Sequence, residues 1–430
     1  MTTVAIFSVL IGLMFLGVPI AVSMGLTAAI FFVILGDADQ LIMVPARMYS
    51  STTGFTLLAI PFFILAGNLM NTGGMTTRLF QFCQNLVGHI RGGLGHVNVV
   101  ANITAAGMSG SAIADAAGVG LVAMNAMSKA GFDRPFSAAL SAAAATIGPI
   151  IPPSIPLVIF GCMTGVSVGR LFLGGFIPGL LMGLGLMITV YVLSVKRGYP
   201  TQPRSTFGNI LVSLRGAWSA ILAPIIIIGG ILTGIFTPTE ASVAACFYAV
   251  LISVFVYHEV GLERLLEILV ETVDQTVRVL FIISTAGLFG WLLIQQRVPD
   301  AIIQFLLGLT HNPYVLLLII NVILLILGCF MEAISVMLLT IPIFMPLIAK
   351  VGIDPVHFGV LMTFNLMVAL LTPPVGMVLY TVSCIGEVPL WTLAHELRWH
   401  IITLMLCLVL ITCIPALVTF IPNLIMGSAG

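Results

Sequence analysis

Two carboxylates stand inside otherwise uncharged apolar sequence: Asp115, in GMSGSAIADAAG (107–118), and Glu332, in GCFME (328–332). An ionisable side chain at membrane depth is costly and tends to serve function, so these two are the first candidates for chemistry. Four strings rich in glycine, serine or proline interrupt the apolar runs: GMSGS (107–111), IGPIIPPS (147–154), GCFME (328–332) and LTPPVG (371–376). A continuous helix has no free backbone groups for a ligand. An interrupted one exposes carbonyls that hold a cation and N–H groups that hold a carboxylate. Glycine permits the turn and the close approach of backbone, and proline keeps the chain from rejoining the helix. Ser109, Ser111, Ser154 and Thr372 add hydroxyls at the breaks. Carboxylate, hydroxyl and carbonyl make a hard-oxygen environment, which suits sodium; a proton would need little beyond the two acids.

Each of these residues also has a structural use. Asp115 and Glu332 both lie near a helix start, where a side chain can cap free N–H groups. A hydroxyl in a membrane helix often bonds its own backbone. Asn68, Asn102 and Asn365 are weaker site candidates and fit interhelical bonding. The histidines (89, 96, 258, 311, 357, 395, 400) fall mostly near segment ends and read as interfacial or loop residues. The cysteines (83, 162, 246, 329, 384, 407, 413) lie singly in apolar stretches, with no CxxC spacing and no His/Cys cluster, so no transition-metal centre is expected. The methionines read as packing filler. No GxxxxGK[ST] string occurs, which leaves a cation gradient rather than direct ATP coupling as the energy source.

Groups of this kind need a membrane to position them. Hydrophobic residues make up 60% of the 430 and charged residues 7%, against roughly 25% charge in a soluble domain. Mean hydropathy is +1.21. At about 20 residues per span, the chain holds roughly ten to thirteen membrane segments. The apolar runs are continuous rather than alternating, which excludes a barrel. Net charge is zero and no basic stripe points to nucleic acid. The first residues, MTTVAIFSVLIGLMFLG, lack a basic n-region and a small-residue cleavage site, and read as a first span.

The apolar runs give spans at 3–17, 19–35 and 54–72, with a polar loop holding Asp37, Asp39 and Arg47, then an amphipathic interfacial piece at 75–90. Two pieces too short to cross comfortably alone make a re-entrant hairpin, 93–130, followed by an interrupted helix, 135–163, and a span, 170–195. After a linker at 196–215 the plan recurs: spans at 216–235 and 239–257, an amphipathic piece at 258–273, a span at 275–296 and an interfacial piece at 298–310. A second hairpin, 313–350, an interrupted helix, 356–383, and a last span near 400–423 complete it. Lys129-Ala-Gly-Phe-Asp133 matches Lys350-Val-Gly-Ile-Asp354 at an offset of 221, and Gly107 and Gly328, Pro152-Pro153 and Pro373-Pro374, and Gly165 and Gly386 share it. Pro19 and Pro238 pair at 219. The chain therefore reads as two repeats, 1–195 and 216–430, each with five spans and a hairpin, an odd count that inverts one against the other. With the N-terminus outside, eleven basic residues (78, 91, 129, 134, 196, 197, 204, 215, 264, 278, 398) face inward and four (47, 170, 297, 350) outward, as the positive-inside rule favours. Both termini are then periplasmic, and the hairpins open to opposite sides.

At these residues the sequence resembles the large membrane (M) subunit of the tripartite ATP-independent periplasmic (TRAP) transporters. The strings are LLAIPFFILAGNLMNTGG (57–74), GMSGSAIADAAG (107–118), IGPIIPPSIPLVIFG (147–161), LFLGGFIPGLLMG (171–183) and LTPPVGMVLY (371–380), and the resemblance runs along essentially the whole chain. It implies an all-α inner-membrane importer with an elevator movement, coupled to Na+. The substrate would be an organic acid such as a sialic acid, a C4-dicarboxylate or a sugar acid. It implies two partners: a small membrane (Q-type) subunit, expected as a separate chain, and a periplasmic substrate-binding protein. One sodium site carries over to Ser109, Ser111 and Asp115 with backbone at Gly148 and Pro149. A second carries over to the other tip, Gly328 and Glu332, with Thr372 and Pro373. Substrate contact carries over to Ser109, Ser154 and Glu332. The family often has Asp at this last position; Glu332 keeps the charge on a side chain one methylene longer. The alternatives are a stand-alone carboxylate symporter of the same design and, more distantly, an intramembrane enzyme using Asp115 and Glu332 as an acid pair. Against the enzyme, neither acid lies in a GxGD-type string. Against a structural subunit without a site, the paired breaks would cost stability without a use.

Overall fold

The computed structural model describes residues 2–36 and 38–427, and among these every regular element is helical. Asp37, placed by sequence in a polar loop, lies outside the described residues. In chain order the helices are α1 (Thr2–Phe15), α2 (Ile20–Ile34), α3 (Val44–Ser50), α4 (Ala59–Thr72), α5 (Met75–Val87), α6 (Gly93–Ser109), α7 (Ala112–Asp115), α8 (Leu121–Lys129), α9 (Arg134–Ala145), α10 (Ile155–Thr164) and α11 (Val168–Arg197). There follow α12 (Phe207–Leu232), α13 (Pro238–Val250), α14 (Leu262–Gln295), α15 (Val298–Leu309), α16 (Pro313–Phe330), α17 (Ala333–Val351), α18 (Pro355–Ala369), α19 (Met377–Gly386), α20 (Leu390–Cys413) and α21 (Ala416–Met426). Among the described residues eight helices are long and apolar enough to cross a bilayer, fewer than the ten to thirteen segments read from length and composition. The remaining apolar helices are short because glycine or proline ends them.

Helix starts follow local chemistry. Proline enters the first turn of α13, α16 and α18, where its missing N–H costs nothing. Thr206 caps α12, and Thr237 with Glu240 forms a reciprocal capping box on α13. Several boundaries differ from those read off polarity. The stretch read as a polar loop is a 3₁₀ turn, Ala38–Met43, leading into α3. The pieces read as 258–273 and 275–296 are one helix, α14, of 34 residues and about 51 Å. A change from charged to apolar sequence does not break a helix when no proline or turn intervenes. The non-helical part of the 196–215 linker is confined to 198–206. The last span begins at Leu390, since the polar residues at its head are accommodated: Glu396 pairs with Arg197 at 2.7 Å. It ends at Cys413 and is followed by α21.

The helices pack in two groups. In one, α4 packs on α13 and α14, α2 on α14, and α12 on α5 and α13. In the other, α6, α8 and α20 surround α9, while α11 contacts α18, α20 and α21. Within this second group the two halves of the chain interlock. The distal half of the first interrupted helix, α10, packs on α17 and α18, and the distal half of the second, α19, packs on α7 and α9. The 198–206 segment is tied to α5: Gln202 N–H donates to Gly88 O (3.2 Å), Gln84 Nε2 to Gln202 Oε1 (3.0 Å) and Ser205 Oγ to Asn85 Oδ1 (2.8 Å). Within the same segment, Tyr199 donates to Asp133 Oδ2 at 2.6 Å. Burial and this carboxylate push the Tyr199 hydroxyl up to about 12, so it stays a donor at any physiological pH.

Candidate functional site

The first hairpin, α6 with α7 and α8, turns at Gly110, which adopts φ 59°. A Cβ there would lie 2.6 Å from Pro153 O, so the tip is pressed against the first helix break, and only glycine permits both the turn and the approach. Ser111 caps α7, accepting from Ala114 N–H at 3.4 Å. Asp115 is therefore not the cap of its helix. It is completely buried, and its Oδ1 accepts a short hydrogen bond from Ser109 Oγ. Its Oδ2 has no hydrogen-bond partner and faces Gly148, where any Cβ would overlap it. Asp115 and Ser109 from the hairpin thus meet Gly148 from the break. Gly67 of α4 backs the tip, its Cβ position 3.2 Å from Ser109 Cα.

Ser154 is also fully buried and caps α10, accepting from Leu157 N–H at 3.3 Å. Its hydroxyl donates to Pro149 O in a short bond, which ties the carbonyl of Pro149 across the break. The Pro152–Pro153 peptide bond is cis, and so is Pro373–Pro374 in the second break.

The second hairpin, α16 and α17, is built differently. Gly328 packs on Ala369, and a Cβ there would come within 2.6 Å of the Ala369 Cβ. Gly376, at φ 52°, donates its N–H to Cys329 O at 3.1 Å, joining this tip to the second break. Gly376 also lies against the carbonyls of Leu370 and Thr372, which would stand 2.9 and 3.0 Å from a Cβ at that position. The Thr372 hydroxyl bonds Val368 O at 3.0 Å, and Pro373 follows directly in the break. Glu332 is the N-cap residue of α17, yet its side chain accepts no bond from the first turn. Ser111 and Glu332, at an offset of 221, occupy the same place in the two hairpins, one capping and one not.

Several polar residues at these tips carry no signal in the sequence. Asn98 donates to Ser141 Oγ (2.9 Å) and accepts from Asn102 (2.9 Å) behind the first tip. Asn365 donates to Asn321, and Asn321 to Thr412, each at 2.9 Å, behind the second. Asn68 donates to Thr272 at 3.1 Å, joining α4 to α14. Of the three asparagines singled out by sequence, Asn68 and Asn365 thus bond across helices, whereas Asn102 bonds Asn98 within α6; Asn98 and Asn321 show only once their partners are known. Ser335, one turn into α17, is buried with no partner for its hydroxyl. Three histidines, His96, His357 and His400, are buried rather than interfacial, and His357 Nε2 lies 2.9 Å from Ile411 O. A cavity of about 670 Å³ opens between α1, α16 and α17. Its walls, among them Leu10, Ile323, Phe330 and Phe344, offer little beyond the Thr340 hydroxyl to a polar ligand, so it is not where a carboxylate would be held.

Tips and breaks of this kind, buried in an all-helical membrane chain, are a plan that many transporters share. The fold is similar to that of the Alcanivorax borkumensis YdaH transporter (TM-score 0.64, 15% identity, 88% of this chain and 90% of that one). It is similar also to Neisseria gonorrhoeae MtrF (TM-score 0.59, 15% identity, 88% and 85%). Residues 7–417 match the family described as "Tripartite ATP-independent periplasmic transporter, DctM component", and the chain belongs to it as a TRAP transporter large permease. Relatives include the sialic acid TRAP transporter large permease protein SiaM of Vibrio cholerae, 42% identical over 97% of both chains. The C4-dicarboxylate TRAP transporter large permease protein DctM of Pseudomonas aeruginosa is 40% identical over 93% of this chain and 94% of its own. The sialic acid TRAP transporter permease protein SiaT of Haemophilus influenzae is 38% identical over 96% of this chain and 67% of its own. The protein is a multi-pass membrane permease and not an enzyme.

Proposed function

We propose that the protein imports an organic acid, a sialic acid or a C4-dicarboxylate foremost, in symport with sodium across the bacterial inner membrane. The observation that carries this reading is Asp115 Oδ2: a carboxylate oxygen, completely buried, without a partner, facing the side-chain-free surface of Gly148. An unpaired buried carboxylate is expensive unless a cation or a proton joins it, and the hydroxyls and carbonyls around Asp115 are ligands that suit sodium. Ser109, Ser111 and Asp115, with backbone at Gly148 and Pro149, would hold one sodium. The oxygens around Gly376, those of Thr372 and the second tip at Gly328 and Glu332, with Pro373 shaping the break, would hold another. Sodium supplies the charge that draws each tip onto its break. With the tips so ordered, Ser109, Ser154 and Glu332 are placed to contact the substrate. The interlocked group, α6–α11 with α16–α21, would move as one elevator body along α1–α5 and α12–α15. Two inverted repeats, 1–195 and 216–430, would underlie it, with both termini periplasmic. A small Q-type subunit would pack on the fixed part, and a periplasmic binding protein would deliver the acid. The sialic acid and C4-dicarboxylate relatives support this substrate class.

The test is uptake of radiolabelled acids into proteoliposomes holding this chain and its small subunit, with and without the binding protein, under an inward sodium gradient. Uptake requiring both sodium and the binding protein is expected. Uptake with sodium alone would replace the tripartite reading with that of a stand-alone symporter. Sodium-independent uptake would overturn the coupling.

A further inference from the structure

Five of the six charges of α14 fall in a single stripe, and the sixth, Arg264, flanks it and pairs with Glu267 at 2.6 Å. Glu263, Glu267, Glu271, Asp274 and Arg278 recur at three- and four-residue spacing, which puts them on one face. Arg278 is the last of them, and no further charge follows on the helix up to Gln295. Its Nη2 lies 2.8 Å from Asp274 Oδ2, and the two side chains are 75% and 58% exposed. An exposed guanidinium at the head of such an apolar run marks the boundary where α14 passes from water or the interface into hydrocarbon.

The register between α14 and α17 brings that face to the second hairpin. Gly290 packs on Pro342, its Cβ position 3.3 Å from the proline Cγ. Arg278 lies twelve residues before Gly290, and Glu332 ten before Pro342. At 1.5 Å per residue these are about 18 and 15 Å, so parallel helices bring Arg278 level with the hairpin tip. At that level the guanidinium is near enough to Glu332 for their opposite charges to interact. Glu332 makes no capping bond of its own.

We propose that Arg278 is a positioning residue on the fixed wall that alternates between Asp274 and Glu332, pairing with Glu332 when sodium leaves the second tip. The proposal rests on the sodium-coupled reading above. Arg278 belongs to α14 and Glu332 to the hairpin, so the pair exists at only one position of the moving part. At that position the guanidinium competes with sodium for the same carboxylate, and its effect is to promote sodium release there.

The test is a sodium titration of thermal stability on the purified complex of this chain and its small subunit in nanodiscs. Arg278→Gln is expected to lower the half-saturating sodium concentration about two- to fivefold, the range of a partly exposed ion pair. Arg278→Lys should restore the wild-type value, and in an E332Q background the Arg278→Gln change should have no effect. If Arg278→Gln does not assemble, Asp274→Asn replaces it: by freeing Arg278 from its competitor it should shift the midpoint the opposite way. A wild-type complex stabilised by sodium, with unchanged midpoints in these variants, overturns the role of Arg278 alone. A wild-type complex indifferent to sodium overturns the sodium reading and this proposal with it.

Discussion

A disulfide between α14 and α17 would test whether these two helices slide past one another. The ideal Cβ of Gly290 lies 3.8 Å from the Cβ of Pro342, inside the window of about 3.5–4.5 Å that disulfides occupy. Gly290→Cys with Pro342→Cys should therefore crosslink under mild oxidation without backbone movement. Sliding by one helical turn, about 5.4 Å, perpendicular to the pair would take the separation to about 6.6 Å, beyond reach of the bond. If the hairpin body moves against α14 during transport, oxidation must stop uptake in proportion to the crosslinked fraction, and a reductant must restore it. Each single cysteine serves as a control, because Cys384 and Cys413 are exposed and open to oxidation. The assay pairs a mobility shift after specific cleavage between the two positions with uptake into proteoliposomes. Full crosslinking with undiminished uptake would refute the reasoning, since α14 and α17 would then travel together; failure to crosslink would refute the register itself.

Three further outcomes follow from the site and its surroundings. Ser109→Ala removes a hydroxyl-to-carboxylate hydrogen bond, a loss of about 1.5–3 kcal/mol. The sodium half-saturation of uptake should therefore rise about tenfold or more, and Asp115→Ala should abolish sodium stimulation; unchanged sodium dependence in both would remove this site. Gly148→Ala places a methyl on Asp115 Oδ2 and should suppress sodium-stimulated uptake in a chain that still assembles. Gly208→Ala, with open space around its Cβ, should not, and equal behaviour of the two would count against the Gly148 contact. Tyr199→Phe deletes the bond to Asp133 and should lower stability by about 1 kcal/mol, read as a lower midpoint in thermal unfolding with the sodium half-saturation unchanged.

The parts of this fold written in glycine and proline are the parts a reader of the sequence sees. Gly110 and the Pro152-Pro153 pair mark where backbone must turn or stop, and the hairpin and interrupted helix fall there in the structure. Polarity is a weaker guide. It divides α14 between 273 and 275, inside its charged stripe, although the backbone hydrogen bonds continue through it, and it delays the last long helix past His395, Glu396 and Arg398. At the site, the residue types announced Asp115 and Glu332 but not their surroundings. That Ser111 caps its helix and leaves Asp115 free, or that Ser154 is bonded to Pro149 O, depends on which strings meet in space. Asn98 and Asn321 are silent for the same reason: one amide in an apolar run has no meaning until its partner on another helix is in place.

The interlocking of the two halves also bears on the order in which the protein is made. The first hairpin and Gly148 are complete once the ribosome has passed residue 164, yet α19, which packs on α7 and α9, ends at Gly386. For most of translation the buried carboxylate of Asp115 therefore waits in a membrane without its final cover. The distal α10 similarly waits for α17. Neither half can mature alone, so chains truncated in the second half are expected to fail as a whole, and quality-control proteases would meet a nearly complete polypeptide. A half-length progenitor of this architecture would have faced the same constraint, finishing either site only beside a second copy of itself.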